Sequence, residues 1–301
     1  MTLDGVRLEE INISESNYTA DNFYAMGQKK FTGMHICQSL FSTKSSTDLD
    51  FLEGIQNKSS VKILVIDVDI LNQTALDRIN QFNNLSVLSI GSKSTKPLVL
   101  KMGFNKLRSL TVSGNIKLQD MSNVHLRYLK LINCPIDVIE NSCGLIEELV
   151  LYDCKNCLFL NYLSSSNVKR LIITKAKFRK LEYLNNLKNL EYIELHYCSK
   201  LDDYSEIASC QLLKDVYFEG IKNINDLNVF TKLKNARSLT LFKCGNIQSL
   251  SFLNEMPSLE RFLFTSTNIV DGDLTPCMRL KTAWSSFGKR HYNIDVKDLP
   301  H

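Results

Sequence analysis

The sequence predicts an α/β solenoid in which short parallel strands form a concave β-sheet and 3-10 or irregular segments form the convex side. Three observations predict it. A hydrophobic frame recurs about every 22 residues, a second apolar period of three residues follows it, and a cysteine, asparagine or other small residue often ends the frame. A repeat this short cannot bury its apolar face alone, so its copies must stack on one another.

The frame is clearest at Leu190, Ile193, Leu195 and Cys198, which occupy its first, fourth, sixth and ninth positions. Equivalent frames begin at residues 146, 168, 190, 213, 236 and 259, so the successive steps are 22, 22, 23, 23 and 23 residues. Earlier frames begin at residues 61, 85, 107 and 126. This is the leucine-rich-repeat pattern, whose period is about 20–29 residues, and it predicts a leucine-rich-repeat horseshoe.

The two halves of each repeat have different periods. In the first half, side chains alternate between the two faces of a short strand, so the frame leucines point into the core and the third, fifth and seventh positions point outward. In the second half, apolar residues recur every three positions, as at Phe178, Leu181, Leu184 and Leu187. That spacing is typical of a 3-10 helix, and we expect little room for a full α-helix on the convex side.

The pattern divides the chain into three parts. Residues 61–285 form the solenoid, and residues 286–301 form a C-terminal cap or tail. Residues 1–60 form an N-terminal cap with degenerate repeats, whose frames begin at Leu8 and Phe31. Terminal repeats differ from the rest because their outer face meets water.

Charge and hydropathy exclude several classes of function. The 301 residues include 36 basic and 32 acidic ones, and the net charge of +4 is not clustered on a basic face that would bind nucleic acid. No apolar run approaches the roughly 18 residues of a membrane span. The first residues lack the basic and apolar regions of a secretory signal. We therefore expect a cytoplasmic protein that binds neither nucleic acid nor membrane.

Two motifs suggest metal sites, and both have a simpler interpretation. Cys154 and Cys157 have the spacing of half a zinc or redox site. Cys154 nevertheless stands at the ninth frame position and Cys157 at an apolar convex position, so both are predicted to lie in the core. Asp271 and Asp273 are better explained by a turn than by calcium, since the other ligands of a calcium loop are missing. With no catalytic motif in the chain, we predict no enzymatic activity, no metal and no cofactor.

The outward strand positions hold the candidate partner-binding residues. Tyrosine and arginine are enriched at the energetic centres of protein interfaces, although β-propensity alone could also place tyrosine in strands. The acidic residues among them suit a protein partner with a basic surface and would repel nucleic-acid phosphates. The predicted binding residues are Tyr128, Tyr152, Arg170, Tyr192, Glu194, His196, Asp215, Tyr217, Glu219, Phe242, Arg261 and Trp284.

Over residues 61–285 the frame resembles the 22-residue leucine-rich class found in internalins and in cytosolic phosphatase-binding regulators. The segments Asp271–Leu274 and Lys289–Tyr292 together resemble the closing segment of bacterial cytosolic leucine-rich-repeat proteins. Some of those are immunity proteins paired with secreted polymorphic toxins. The resemblance implies a protein that binds and neutralises a toxin or another enzyme through its concave face. The alternative is a cytosolic regulatory scaffold of the phosphatase-binding kind.

Overall fold

The structure is a computed structural model that describes residues 2–3, 6–9, 33–37, 49, 52–53, 58–67, 71–121, 124–135, 145–163, 167–222, 224 and 226–301. The chain forms two compact units, Met1–Leu149 and Val150–His301. Each unit is described separately.

Parallel strands dominate the first unit. The strands are β1 (Thr2–Leu3), β2 (Val6–Glu9), β3 (Gly33–Cys37), β4 (Ile63–Asp67), β5 (Val87–Ser92), β6 (Leu98–Lys101), β7 (Ser109–Gly114), β8 (Ile116–Gln119) and β9 (Tyr128–Ile132). β3, β4, β5, β7 and β9 pair in parallel in that order. β6 and β8 form a separate parallel pair. Strands of successive repeats are thus neighbours, as stacking requires.

The first strands of this unit differ from the rest. β1 pairs antiparallel with β2, and β2 pairs antiparallel with β3. β3 is parallel to β4, with Met34 opposite Leu64 and Ile36 opposite Ile66, which is the register predicted by the frame that begins at Phe31. The strand predicted by the frame at Leu8 lies outside the described residues.

The second unit has the more regular sheet. β10 (Glu148–Tyr152) spans the division between the units, and its last three residues belong to the second. The following strands are β11 (Arg170–Thr174), β12 (Tyr192–His196), β13 (Asp215–Glu219), β14 (Ser238–Phe242), β15 (Gly245–Ile247), β16 (Arg261–Leu263), β17 (Thr267–Ile269) and β18 (Thr282–Trp284). β11, β12, β13, β14, β16 and β18 pair in parallel without a register shift, and β15 pairs with β17.

Burial alternates along these strands as the frame predicts. In β12, Ile193 and Leu195 are fully buried, whereas Tyr192, Glu194 and His196 are half-buried. β13 and β14 repeat this pattern. The inward side chains of each turn pack against those of the next, so the core runs through the unit. The predicted leucine-rich-repeat solenoid is confirmed.

The chain leaves each strand through the same turn. The eighth frame position has a positive φ in eight of the described repeats, at Gly114, Asn133, Asp153, Lys175, Tyr197, Gly220, Lys243 and Ser266. In several repeats the backbone N–H at this position donates to the carbonyl oxygen of the last residue of the next strand. Examples are Lys175 N–H to His196 O at 2.8 Å and Tyr197 N–H to Glu219 O at 2.7 Å. Because the turn recurs, side chains at the eighth position border the outward face.

The ninth position ties neighbouring repeats together. Cys244 Sγ donates to the carbonyl oxygens of Phe242, at 3.3 Å, and of Phe218 in the preceding repeat, at 3.5 Å. In the next repeat Thr267 Oγ1 donates to Leu241 O at 2.6 Å. A small side chain with a donor satisfies buried carbonyl groups there, which explains why cysteine recurs at this position.

The segments between the strands are short helices. The 3-10 helices are Lys58–Ser60, Leu158–Leu163, Leu184–Asn186, Ser205–Ser209, Ser251–Glu255, Thr275–Arg279 and Val296–Asp298. The α-helices are α1 (Gln73–Ile79) and α2 (Asn228–Thr231). Within the described part of the chain, no helix is long and apolar enough to cross a membrane.

The three-residue apolar period is confirmed as 3-10 structure in most repeats, whereas two repeats contain a short α-helix, and the expectation of little room for an α-helix is wrong for the longer one, α1. That helix spans 7 residues. It lies in the longest repeat step of the predicted solenoid, from residue 61 to residue 85. Asn72 caps it by accepting a hydrogen bond from the Ala75 backbone N–H at 2.9 Å, which satisfies one free donor of its first turn.

An aromatic group fills the core of the second unit behind β13. The ring of Phe218 lies edge-on to Tyr204 and to Phe230, with centroid distances of 5.4 and 5.5 Å. The Tyr204 hydroxyl donates to the Asp226 carbonyl oxygen at 3.1 Å. Edge-to-face rings add to the stabilisation from burial alone.

Replacing Phe218 by alanine should lower the free energy of unfolding by about 3–5 kcal/mol, because it removes a fully buried ring and leaves a cavity. The matched control is Phe287→Ala, since Phe287 is 68 % exposed and its loss should change stability by less than about 0.5 kcal/mol. Equilibrium denaturation of both variants measures the difference. Equal losses would contradict the aromatic core described above.

Candidate functional site

Most of the predicted binding residues lie together on the outward face of the second unit, which we call the exposed sheet face. Its rows run across the strands. One row contains Arg170, Tyr192, Asp215, Ser238 and Arg261, in register on neighbouring strands. The next rows contain Ile172, Glu194, Tyr217, Thr240, Leu263 and Trp284, and Thr174, His196, Glu219 and Phe242.

Tyr128 does not belong to this group. It lies in β9 of the first unit and is only 4 % exposed, although its frame position predicts an outward, accessible side chain. Its neighbours at outward positions, Ser109 and Thr111, are buried as well. Frame position fixes the face of the sheet but not what covers that face. The prediction of Tyr128 as an accessible binding residue is therefore wrong.

His196 is the centre of the exposed sheet face. Its Nε2 lies 2.6 Å from Glu194 Oε2, and its Nδ1 lies 3.0 Å from Glu219 Oε2. The alternation of β12 places Glu194 and His196 on the same face, and the parallel register places Glu219 beside His196. The three side chains are 20 %, 20 % and 13 % exposed, so solvent screens their interaction only in part.

Tyrosines occupy the remaining oxygens of the two glutamates. Tyr192 donates its hydroxyl to Glu194, and Tyr197 donates its hydroxyl to Glu219. Tyr217 packs its ring against His196 with a centroid distance of 5.1 Å. We call these six residues the tyrosine–histidine cluster: Tyr192, Glu194, His196, Tyr197 and Glu219 are joined by hydrogen bonds, and Tyr217 joins them through its ring contact with His196.

The hydrogen bonds shift the pKa values within the cluster. The hydrogen bond to Glu194 raises the pKa of His196 against the opposing effect of burial, and the bond to Glu219 adds to the rise. Burial raises the pKa of Glu194, but hydrogen bonds from His196 and Tyr192 outweigh it and the net pKa is lowered. Glu219 behaves in the same way, with Tyr197 and His196 as donors. All three shifts favour the charged forms, an imidazolium and two carboxylates, relative to the same groups in water.

Pairs of charged and aromatic side chains surround the cluster. The guanidinium of Arg170 lies 4.0 Å from the centroid of the Tyr192 ring. Arg261 reaches Asp215 at 3.4 Å, across the small side chain of Ser238 that stands between them in the row. A guanidinium over an aromatic face is attracted by the ring quadrupole, so these contacts hold the edge of the cluster in place.

Two predicted aromatic residues lie beside lysines at the eighth position. The Lys175 ammonium group donates to the Tyr152 hydroxyl at 2.8 Å, which raises the pKa of Lys175. The Lys243 ammonium group lies 4.6 Å from the centroid of the Phe242 ring. Trp284 lies farther along the face, in register with Leu263, and is 45 % exposed. Both lysines were absent from the set predicted from the sequence.

Tyr197 is the main residue that the sequence prediction omitted. It occupies the eighth position, outside the three alternating ones, with a φ of 52° and 45 % exposure. Gly220, the eighth residue of the next repeat, has a φ of 65°, and a Cβ there would stand 2.7 Å from Tyr197 Cδ1. The tyrosine ring therefore rests on the glycine. The signal in the sequence is the pairing of an aromatic residue with glycine one repeat later.

The two motifs that suggested metal sites have structural roles. Cys154 and Cys157 are 5 % and 2 % exposed, as predicted for core residues. Asp271 accepts from the Asp273 N–H at 3.1 Å, and Asp273 accepts from the Thr275 N–H at 2.9 Å, so both carboxylates form turns. Among the described residues, no group of histidine, cysteine, aspartate or glutamate has the geometry of a metal site.

No protein-family model matches the chain, and no curated protein matches it. Among solved structures, the internalin InlF of Listeria monocytogenes is 14 % identical, with 79 % of this chain and 77 % of that chain covered and a TM-score of 0.49. A leucine-rich-repeat protein of Leptospira interrogans is 17 % identical, with 77 % and 68 % covered and a TM-score of 0.47. The functional domain of InlJ from Listeria monocytogenes is 12 % identical, with 73 % and 62 % covered and a TM-score of 0.37. The candidate site therefore rests on the geometry of this chain.

Gly220→Ala should displace the Tyr197 ring and destabilise the second unit by about 1–2 kcal/mol, because the position is left-handed and the new methyl group meets the ring. The control is Gly103→Ala, where an added Cβ meets nothing within 4 Å. Denaturant unfolding gives the stability difference, and the fluorescence or chemical reactivity of Tyr197 reports the ring. A variant as stable as the control, with Tyr197 unmoved, would contradict this packing.

His196→Gln should destabilise the protein in a pH-dependent way. Because the folded pKa of His196 is raised from 6.5, its stabilising contribution is complete below that value and is lost as pH rises through the folded pKa. Above it, one carboxylate faces an imidazole lone pair. We expect a loss of about 1–2 kcal/mol near pH 6, where the glutamates are still ionised, and a smaller loss near pH 9.

The measurement is the denaturant midpoint of both proteins across this pH range. A difference that stays constant with pH would show that the imidazolium does not stabilise the cluster.

Proposed function

We propose that this chain is a non-enzymatic protein-binding module and that the tyrosine–histidine cluster is the centre of its binding surface. The observation that carries the proposal is that the hydroxyls of Tyr192 and Tyr197 are held by two carboxylates and the ring of Tyr217 is packed against the imidazole between them. Aromatic side chains that are already fixed lose little conformational entropy when a partner covers them. Such residues often dominate the binding energy of protein interfaces.

The same geometry favours binding over catalysis. Both ring nitrogens of His196 lie within hydrogen-bonding distance of carboxylates. A general acid or base needs a nitrogen directed at a substrate atom, and here each nitrogen is occupied by a neighbour in the cluster. The carboxylates in turn are held by Tyr192 and Tyr197. The group therefore works as a rigid recognition surface.

The charge of the cluster indicates the partner. Two carboxylates flank the imidazole of His196, and a third acid, Asp215, lies in the adjacent row, where it contacts Arg261. Tyrosine faces and carboxylates together recognise lysine and arginine side chains. We propose a partner that presents a basic surface to the middle of the exposed sheet face.

The more specific form of the proposal is toxin immunity in the cytoplasm, in which the chain binds a toxin and neutralises it. It is supported by the resemblance of Asp271–Leu274 and Lys289–Tyr292 to the closing segment of such proteins. In this chain the two segments contact each other, since Gly272 lies so close to His291 that an added Cβ would collide with the His291 carbonyl oxygen.

The combined substitution Tyr192→Ala, Tyr197→Ala and Tyr217→Ala should weaken partner binding by at least about thirtyfold, since each ring is a candidate hot spot. The matched control is Tyr162→Ala. Tyr162 and Tyr197 are both 45 % exposed, but Tyr162 lies in a 3-10 helix away from the strands. Affinity capture identifies the partner, and titration calorimetry with the purified partner gives the affinities.

Equal affinities of the triple variant and the Tyr162 control would contradict a binding role for the cluster. If the captured partner is toxic to cells, co-expression of the parent chain should restore growth and co-expression of the triple variant should not. A captured phosphatase whose activity changes on binding would instead support the regulatory-scaffold alternative.

A further inference from the structure

The C-terminal tail folds back along the last strand of the second unit. The Ala283 N–H donates to the Pro300 carbonyl oxygen at 2.8 Å, and Leu299 is 2 % exposed. Asn293 fastens the middle of the tail, because its side-chain oxygen accepts from the Leu274 N–H at 2.8 Å and its amide donates to Asp273 at 2.8 Å. The tail is therefore held at both places by hydrogen bonds and keeps a fixed shape.

A groove of about 780 Å³ lies between this tail and the end of β18. Its walls include Trp284, Phe287 and Tyr292, and the first two are 45 % and 68 % exposed. Cavities that hold small ligands or single peptide side chains have volumes of roughly 300–1,000 Å³. Large aromatic side chains that stay exposed around a preformed groove mark a surface that another molecule covers.

The charged residues of the groove are mostly basic. Lys289, Lys297 and His301 line it together with one acid, Asp295. The Asp295 carboxylate accepts from the Lys297 backbone N–H at 3.1 Å, so it serves as a helix cap. Within the described part of the chain, no carboxylate pairs with the ammonium groups of Lys289 or Lys297, whereas Lys281 nearby pairs with Glu260 at 3.0 Å.

The geometry points to a docking groove for an acidic peptide segment of a protein partner, one that carries an apolar side chain between aspartates or glutamates. The apolar side chain would lie between Trp284 and Phe287, where it leaves water. The flanking carboxylates would pair with Lys289 and Lys297, whose charges the groove leaves uncompensated. A basic segment would meet two like charges and gain nothing from them.

This groove differs from the tyrosine–histidine cluster in place and in sign of charge. Trp284 belongs to β18, three paired strands beyond β13, which is about 14 Å at the usual strand spacing. The acidic side chains of the cluster are Glu194 and Glu219, whereas the groove is lined by two lysines and one aspartate. The inference therefore stands independently of the function proposed for the cluster, and its failure would leave that proposal intact.

Trp284 is the only tryptophan in the chain, so its fluorescence reports the groove alone. The probe is a short synthetic peptide with a central leucine pair flanked by glutamates, and the control peptide has lysine in place of every glutamate. We expect a saturable change in Trp284 emission with the acidic peptide, and affinity at least about tenfold lower with the basic one. Added salt should weaken the acidic peptide's binding.

Two variants separate charge from shape. Lys289→Glu with Lys297→Glu should lower the affinity for the acidic peptide at least about tenfold, whereas Lys289→Arg with Lys297→Arg should retain it, since the positive charges remain. Lys289 and Lys297 are both exposed, so both double variants should fold. Their unfolding midpoints, compared with the parent's, are the check. The sheet-face variant with alanine at the three tyrosines should bind the peptide as the parent does.

Three results would overturn the inference. The first is no change in Trp284 emission with the acidic peptide. The second is an equal response to both peptides or in the two lysine variants, which would leave an apolar groove without acidic preference. The third is a change in emission with protein concentration alone that is lost in Phe287→Ala, which would make a second copy of the chain the occupant.

Discussion

The structure depends on the alternation of side chains along strands of about five residues. In the second unit, one face of each strand carries the apolar frame residues into the core, and the other face forms the exposed sheet face. Because each turn of the chain buries its core only against the turns beside it, the strands must stay in register. In the second unit they do so from β11 to β18. That register lets residues 21 to 23 positions apart meet side by side.

The tyrosine–histidine cluster is a direct product of this arrangement. Glu194 and His196 share a face because they are two residues apart, and Glu219 stands beside His196 because it is 23 residues farther along the chain. The eighth-position turn then adds Tyr197 at the border. The two carboxylates and the imidazole form hydrogen bonds with one another and with the hydroxyls of Tyr192 and Tyr197. The side chains are therefore fixed before another protein binds. A loop of the same composition would have to fix these side chains during binding.

The fold and most of the exposed sheet face could be predicted from the sequence, because both follow from frame position. Burial of Tyr128 could not, since position fixes the face of the strand and says nothing about what lies over it. Tyr197 was missed because the turn places it on the border without belonging to the alternation. The C-terminal groove was missed because the tail has no period, and its place beside Trp284 depends on hydrogen bonds to the Asp271–Thr275 turn and to Ala283 that no sequence pattern indicates.

The register of the second unit also fixes the distances between sites on its surface, because each site belongs to particular strands. Whole strands separate the tyrosine–histidine cluster, on β12 and β13, from the C-terminal groove beside β18. The distance between the two sites can therefore change only in steps of about 4.8 Å, the spacing of neighbouring strands. Gain or loss of one repeat between residues 220 and 260 would change the distance between the cluster and the groove by one strand spacing and leave the residues of both sites unchanged. A change in repeat number would thus adapt the protein to a partner of different size without any substitution in the cluster or the groove.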